Sequence, residues 1–70
     1  PEVRVNAVAP GYTLTPRTEH WEEAQAAYAK KSALKRSAKP EEIAAAVLGI
    51  IHTNHITGQI ITVDGGYLLG

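Results

Sequence analysis

Residues 40–52 restrict what this chain can fold into more than any other stretch: Pro40-Glu41-Glu42-Ile43-Ala44-Ala45-Ala46-Val47-Leu48-Gly49-Ile50-Ile51-His52. Proline is pre-set for the first helical position and acidic residues favour the positive end of the helix dipole, so the spacing predicts a helix that opens at Pro40. Ile43, Val47, Ile50 and Ile51 form one apolar stripe, and Ala44, Ala45, Ala46 and Leu48 leave the opposite side apolar as well. A helix apolar nearly all round is buried on more than one side. Domains of this size bury only about 60% of the surface their unfolded chains expose, so 70 residues offer little to lay on the second side. The helix asks for cover from outside the chain, either more of a sheet or another subunit. With no cysteine in the sequence, a disulfide cannot make up the shortfall.

The segments on either side of that helix say what it packs on. Val3, Val5, Ala7 and Ala9 alternate with Arg4, Asn6 and Val8 until Pro10-Gly11 stops the run, which predicts a strand over residues 3–9. Residues 60–63 are a continuous apolar and β-branched run, the pattern of a strand buried on both faces of a parallel sheet, and Asp64-Gly65-Gly66 ends it with turn chemistry. Residues 16–38 are polar and alanine-rich. Within them residues 22–31 are good helix formers, with Trp21, Ala24 and Tyr28 spaced to share a face. Strand, helical excursion, helix, strand is the order of a β-α-β crossover with parallel strands. Two such strands leave two open edges and do not make an independently stable sheet. The expected class is α/β, incomplete as a fold.

Charge and composition exclude several function classes. Seven basic and seven acidic residues give a formal net charge of zero, and no like-charge run exceeds the Lys30-Lys31 and Glu22-Glu23 pairs. No nucleic-acid footprint is indicated. No apolar stretch approaches the roughly 18 residues of a membrane span, and the first residues lack a basic region followed by an apolar run. The lack of cysteine is compatible with the cytoplasm, which is the expected location. His52 and His55 sit at a helix end with no third ligand close by, a poor zinc constellation; the favoured reading is an interaction of these rings with the last helical carbonyls. His20 beside Trp21-Glu22-Glu23 reads as solvated surface, and no metal site is expected.

Four strings, Val3-Arg4-Val5-Asn6-Ala7-Val8-Ala9-Pro10-Gly11, Lys39-Pro40-Glu41-Glu42-Ile43-Ala44, Ile56-Thr57-Gly58-Gln59 and Val63-Asp64-Gly65-Gly66-Tyr67, resemble in this order and spacing the C-terminal part of classical short-chain dehydrogenases/reductases. The resemblance spans essentially the whole chain. It implies that residues 1–70 are the C-terminal segment of a single NAD(P)-binding domain with a Rossmann-type, doubly wound parallel sheet. In that frame residues 3–9 are a strand, 16–38 a helical flap over a small-molecule substrate, 40–52 a helix and 60–63 the final strand. The implied activity is hydride transfer between the nicotinamide of NAD or NADP and a carbonyl or hydroxyl group.

The same resemblance assigns the site. The loop after the first strand passes over the nicotinamide, so backbone groups around Pro10, Gly11 and Thr13 meet the carboxamide and the Thr15 hydroxyl contacts the cofactor. An amide in a dry cleft needs both a donor and an acceptor, and strand-end backbone supplies both. Read from residues alone, Pro10-Gly11 is also a plain strand-ending turn, and Thr15 also caps the helical stretch that follows; both roles of Thr15 are compatible. Tyr12 lies on the substrate side or is a half-buried ring with a wetted hydroxyl. Trp21 and Tyr28 close the flap or simply anchor it. Residues 40–52 and 60–69 form a subunit contact in the family, which implies a homodimer or homotetramer. Asp64 is structural, its glycines permitting backbone that a Cβ disfavours.

No catalytic residue is assigned. The family's Tyr-x-x-x-Lys pair, in which the lysine lowers the pKa of a tyrosine acid or base, is absent, as are its serine and asparagine. Tyr28-Ala29-Lys30-Lys31 has the wrong spacing and lies in the flap. The glycines, at 11, 49, 58, 65, 66 and 70, do not form the phosphate loop, so the pyrophosphate has no helix N-terminus to rest on. The 70 residues alone are therefore expected neither to bind a dinucleotide nor to transfer hydride, and Pro1 in place of methionine is expected to reflect upstream truncation. The residues that separate NAD from NADP lie outside the sequence. The Asp-Gly-Gly-Tyr-x-Leu ending faintly resembles pteridine reductases, while Asp64-Gly65-Gly66 speaks against the enoyl-reductase branch, which commonly has alanine in the middle. The competing reading is a non-catalytic module that pairs with itself or a relative through its apolar helix and strand edges.

Overall fold

The computed structural model describes residues 2–69. Its elements run β1 (Ala7–Pro10), α1 (Glu22–Lys31), α2 (Pro40–Ile51), β2 (Ile60–Val63) and a 3-10 turn, Tyr67–Leu69. β1 and β2 pair in parallel, with Ala7 opposite Ile60 and Pro10 opposite Val63. The α/β crossover order therefore stands, with α2 returning the chain between neighbouring strands.

β1 starts four residues later than the 3–9 alternation suggests. Residues 3–6 pair with the loop before β2 through side chains and one backbone bond and not through a regular ladder. The Val5 N–H donates to the Thr57 hydroxyl (3.2 Å), the Asn6 amide donates to the Ile56 carbonyl (3.0 Å), and the Asn6 side-chain oxygen accepts the Gln59 N–H (3.0 Å). The Gly58 N–H, delivered by a residue at φ 72°, reaches the Val5 carbonyl (2.8 Å). Only at Ala7, whose N–H meets the Gln59 carbonyl (2.9 Å), does the ladder become regular.

α2 opens as its sequence dictates. Pro40 occupies the first turn, and Glu42 reaches back to accept the Lys39 N–H (2.8 Å). Lysine has no side-chain acceptor, so only this half of a capping box is available. Arg36 forks onto both Glu42 oxygens at 2.7 Å. That pair, followed by the Lys39 amide, holds the Glu42 carboxyl down to about 2 from its ordinary 4.5.

The other end of α2 departs from expectation. The helix stops at Ile51, not residue 52, where the Thr53 hydroxyl turns back to the Gly49 carbonyl (2.6 Å). Beyond the backbone caps, its last carbonyls are taken by Arg4 and not by the rings of His52 or His55. Arg4 Nη1 approaches the carbonyls of Ile50 (3.3 Å), Thr53 (3.1 Å) and Ile56 (3.0 Å), and Nη2 that of Ile51 (3.0 Å). A cation on the carbonyl end of a helix is favoured by the dipole, and α2 carries no basic residue in its own last turn.

The molecule is a slab of 45 × 26 × 13 Å. A sheet of two strands with helices laid on it cannot enclose much, and among the described residues only Tyr28 and Ser32 are buried. α2 has no buried residue, and Leu48, Ile51, Ile60, Leu68 and Leu69 are all more than half exposed. The second apolar side of α2 finds no cover among the described residues. No helix of the described residues is long and apolar enough to cross a membrane, and no three of their His, Cys, Asp or Glu side chains cluster as metal ligands.

Candidate functional site

The loop at the carboxyl end of β1 is where ligands of open α/β sheets sit. Gly11 continues the parallel ladder by one bond, its N–H on the Val63 carbonyl (2.9 Å). A Cβ at Gly11 would run into the Tyr28 hydroxyl and come within 2.9 Å of the Asp64 Cα, so the close approach requires glycine. Pro10 precedes it at the exposed strand end.

From Tyr12 to Leu14 the backbone divides its bonds between two sides. The Tyr12 carbonyl accepts the Ala38 N–H (2.8 Å) and the Leu14 N–H donates to the Ala38 carbonyl (2.9 Å), forming a parallel bridge at Thr13. Thr13's own groups point the other way. Its carbonyl accepts the Thr18 hydroxyl (2.7 Å) and its hydroxyl donates to the Gly11 carbonyl (3.0 Å), while its N–H has no acceptor among the described residues.

Thr15 and Thr18 hold each other. The Thr15 N–H donates to the Thr18 hydroxyl (2.8 Å), the two hydroxyls lie 3.2 Å apart, and the Thr15 carbonyl accepts the N–H groups of Thr18 (3.0 Å) and Glu19 (2.8 Å). The Thr15 hydroxyl caps the turn over residues 16–20; α1 begins beyond it, with Trp21 as its N-cap. Thr15 thus caps a turn and not the helix.

Tyr12 sits against the flap. Its ring meets Trp21 edge-on (6.4 Å between centroids) and Tyr28 at 5.9 Å, and its hydroxyl donates to the Thr18 carbonyl (2.9 Å). Trp21 is half exposed. Tyr28 is buried, stacks on Tyr67 (4.7 Å, 5° between planes) and donates its hydroxyl to the Asp64 carbonyl. Burial and then the Asp64 charge push the Tyr28 hydroxyl above its ordinary pKa, against a smaller pull from the Tyr12 backbone amide. Lys31 lies over the Tyr67 ring, 4.5 Å from its centre, so Tyr28 and Lys31 do not form a proton-transfer pair.

Asp64-Gly65-Gly66 serves the backbone. The Asp64 carboxylate accepts the N–H groups of Gly66 (3.0 Å) and Leu68 (3.2 Å), and both glycines take positive φ, 60° and 81°. The Gly65 carbonyl accepts the Leu34 N–H (2.9 Å), which docks the end of the flap on this turn. A cavity of about 70 Å³ between Tyr28, Leu34, Arg36, Glu42 and Val63 lies behind the flap and is far too small for a nucleotide.

Pro10, Gly11, Tyr12, Thr13 and Thr15 are thus brought together at one strand end. Three contributors escaped sequence reasoning, Arg4, Thr18 and Ala38, while Tyr28 takes the anchoring role offered for it. The Thr15-Pro16-Arg17-Thr18 spacing is a signal for the reciprocal threonine pair; the other two depend on partners far along the chain.

A sequence model of the family described as Enoyl-(Acyl carrier protein) reductase matches residues 1–68. The chain is 41% identical over 70 residues to the 3-oxoacyl-(acyl-carrier-protein) reductase of Thermotoga maritima, covering 96% of this chain and 28% of that protein. The MalC Reductase/Diels-Alderase from Malbranchea aurantiaca superposes with a TM-score of 0.91 at 42% identity, over 99% of this chain and 26% of the other. A small-chain dehydrogenase solved in complex with NADPH gives 0.86 at 32% identity, over 97% and 33%. The chain therefore spans about 28% of the length of the curated relatives it matches. The family description and the bacterial relative name different reductions, so neither reaction follows from the match alone.

Proposed function

The chain belongs to the short-chain dehydrogenase/reductase family, and from that premise we propose that it forms one wall of the cofactor cleft in an NAD(P)-dependent oxidoreductase acting on a small carbonyl or hydroxyl compound. The observation that carries this reading is the backbone of residues 10–15. It leaves the carboxyl end of a parallel strand with the Thr13 N–H unspent, while the Gly11 N–H is tied to Val63, the Tyr12 carbonyl and Leu14 N–H to Ala38, and the Thr13 carbonyl and Thr15 N–H to Thr18. An unpaired donor beside strand-end carbonyls suits a primary carboxamide, which must both donate and accept. Pro10, Gly11 and Thr13 hold the carboxamide through backbone, Thr15 contacts the cofactor through its hydroxyl, and Tyr12 faces the substrate. The bound nicotinamide supplies or receives the hydride.

The residues of this chain orient that ring and shield it from water; proton transfer is left to groups outside it. The reading also includes self-association through residues 40–52 and 60–69, supported by the exposure of Leu48, Leu68 and Leu69, and a cytoplasmic location. Acyl chains tethered to a carrier, named for the Thermotoga relative, are one substrate class to assay. The test uses the complete reading frame containing this stretch. Thr15→Val is expected to raise the NADPH dissociation constant about threefold or more, on the scale of one hydrogen bond, while the 70-residue chain alone gives no saturable NADPH fluorescence change at micromolar ligand. Unchanged affinity in Thr15→Val, or saturable binding by the isolated chain, would refute the reading.

A further inference from the structure

Tyr28 is the buried apolar side chain of the described residues, and it reaches from the flap helix into the seam between the two strand ends. Its hydroxyl donates to the Asp64 carbonyl at the end of β2 and fills the space where a Gly11 side chain would stand. Its ring packs on Tyr67 beyond β2 and on Tyr12 of the loop. One side chain of α1 thus touches both sides of the seam: the loop after β1 and the turn after β2. The Asp64 carbonyl has a second donor, the Tyr67 N–H (3.1 Å), so it is not orphaned when the phenol is absent. Packing requires only the ring. The hydroxyl adds the bond to the Asp64 carbonyl and the steric contact beside Gly11.

We propose that Tyr28 is a positioning residue through which the flap fixes the 10–15 loop in its cofactor-binding shape, so that seating of α1 and shaping of the loop are one event. This rests on the reading of residues 10–15 as the nicotinamide loop. An aromatic ring at this position anchors the flap; a phenol also sets the height of Gly11 above Asp64, and with it the direction of the Thr13 N–H two residues on. Gly11 and Tyr28 form a matched pair, because the hydroxyl occupies the volume the glycine leaves.

The experiment compares Tyr28→Phe, Tyr28→Leu, Gly11→Ala, the Gly11→Ala/Tyr28→Phe double variant and Thr15→Val in the complete protein. KM for NADPH, kcat at saturating NADPH and melting temperature are read for each. Tyr28→Phe is expected to raise KM for NADPH about three- to tenfold, the range of one lost hydrogen bond, with kcat and melting temperature near those of the parent. Gly11→Ala is expected to harm cofactor binding less in the Tyr28→Phe background, where the obstructing oxygen is gone. Tyr28→Leu is expected to lower the melting temperature as well. A higher KM for Thr15→Val with none for Tyr28→Phe overturns this proposal alone. No response from either overturns the reading of the loop, and the proposal with it. A melting temperature that falls with Tyr28→Phe while KM stays unchanged reduces Tyr28 to a packing residue and also overturns it.

Discussion

Replacing Arg4 with methionine is expected to destabilise the protein by about 2 kcal/mol, judged from the hydrogen bonds the guanidinium makes. Nη1 faces three carbonyls, those of Ile50, Thr53 and Ile56, but carries two protons, so its contacts are shared; Nη2 adds the bond to Ile51. That leaves three proton-bearing contacts to the carbonyl end of a helix. Fully buried, each charge-assisted bond is worth roughly 1.5–3 kcal/mol. Two of the four contacts are exposed, where water replaces much of the loss, and the helix-dipole share is about 0.3–1 kcal/mol. Discounting accordingly gives the figure above.

Methionine keeps most of the stem that lies along α2, so the difference isolates the guanidinium. In a domain of 150–250 residues the loss corresponds to a fall of about 4–8 °C in melting temperature. Hydrogen exchange is expected to quicken at residues 50–58, where the clamp joins helix end to loop. Arg4→Lys supplies a charge without the planar fork and is expected to recover less than half of the loss. A Met variant melting within about 1 °C of the parent, or a Lys variant equal to it, would refute the argument from geometry.

Other consequences follow from single residues. Gly66→Ala is expected to cost roughly 2–3 kcal/mol in chemical denaturation, since φ is 81° and the new Cβ would lie 2.6 Å from that of Ala33; Gly58→Ala, at φ 72° in open space, is expected to cost only about 1–2 kcal/mol. Lys35 holds φ 60°, so Lys35→Gly is expected to raise the denaturation midpoint by relieving about 0.5–1 kcal/mol; a lower midpoint would mean that the Lys35 bond to the Lys30 carbonyl (2.8 Å) outweighs the conformational gain. Glu42 has a depressed folded pKa, so its contribution is present above 4.5 and lost as pH falls toward about 2. Melting temperature followed over that window is expected to drop less steeply in Glu42→Gln, and less steeply for the parent in high salt, because the Arg36–Glu42 pair is exposed.

What could be read from sequence was local. Proline followed by two glutamates marks a helix start whatever surrounds it, and a β-branched run ending in Asp64-Gly65-Gly66 marks a strand and its stop; α2 and β2 lie where those signals put them. β1 was harder, because an alternating pattern looks the same whether its backbone meets another strand or a loop. Residues 3–6 have the alternation, yet their partners are the Thr57 hydroxyl and the backbone of residues 56–59. Arg4 is one alternating position of that run, and nothing near it in sequence announces a helix end 46 residues away. In the 10–15 loop, Pro10, Gly11, Thr13 and Thr15 stand out by motif, whereas the bridge of Thr13 to Ala38 depends on how the flap folds back.

The polar contacts and the apolar surfaces of this chain do different jobs. Arg4 and Asn6 decide which segments meet: each bonds backbone belonging to another loop or helix end, and each bond adds a net of about 1 kcal/mol. Ordering a residue costs roughly 1–2 kcal/mol, so such contacts specify an arrangement without being able to hold it. Burial must supply the rest, and with only Tyr28 among the described residues enclosed as an apolar core the area still to be used includes what remains exposed on Val47, Leu48, Ile51, Ile60, Leu68 and Leu69. Covering α2 and shaping the 10–15 loop are consequently linked. Arg4 ties the far end of α2 to the chain just before β1, and β1 runs directly into Gly11 and the 10–15 loop; whatever surface closes over α2 therefore also steadies the loop.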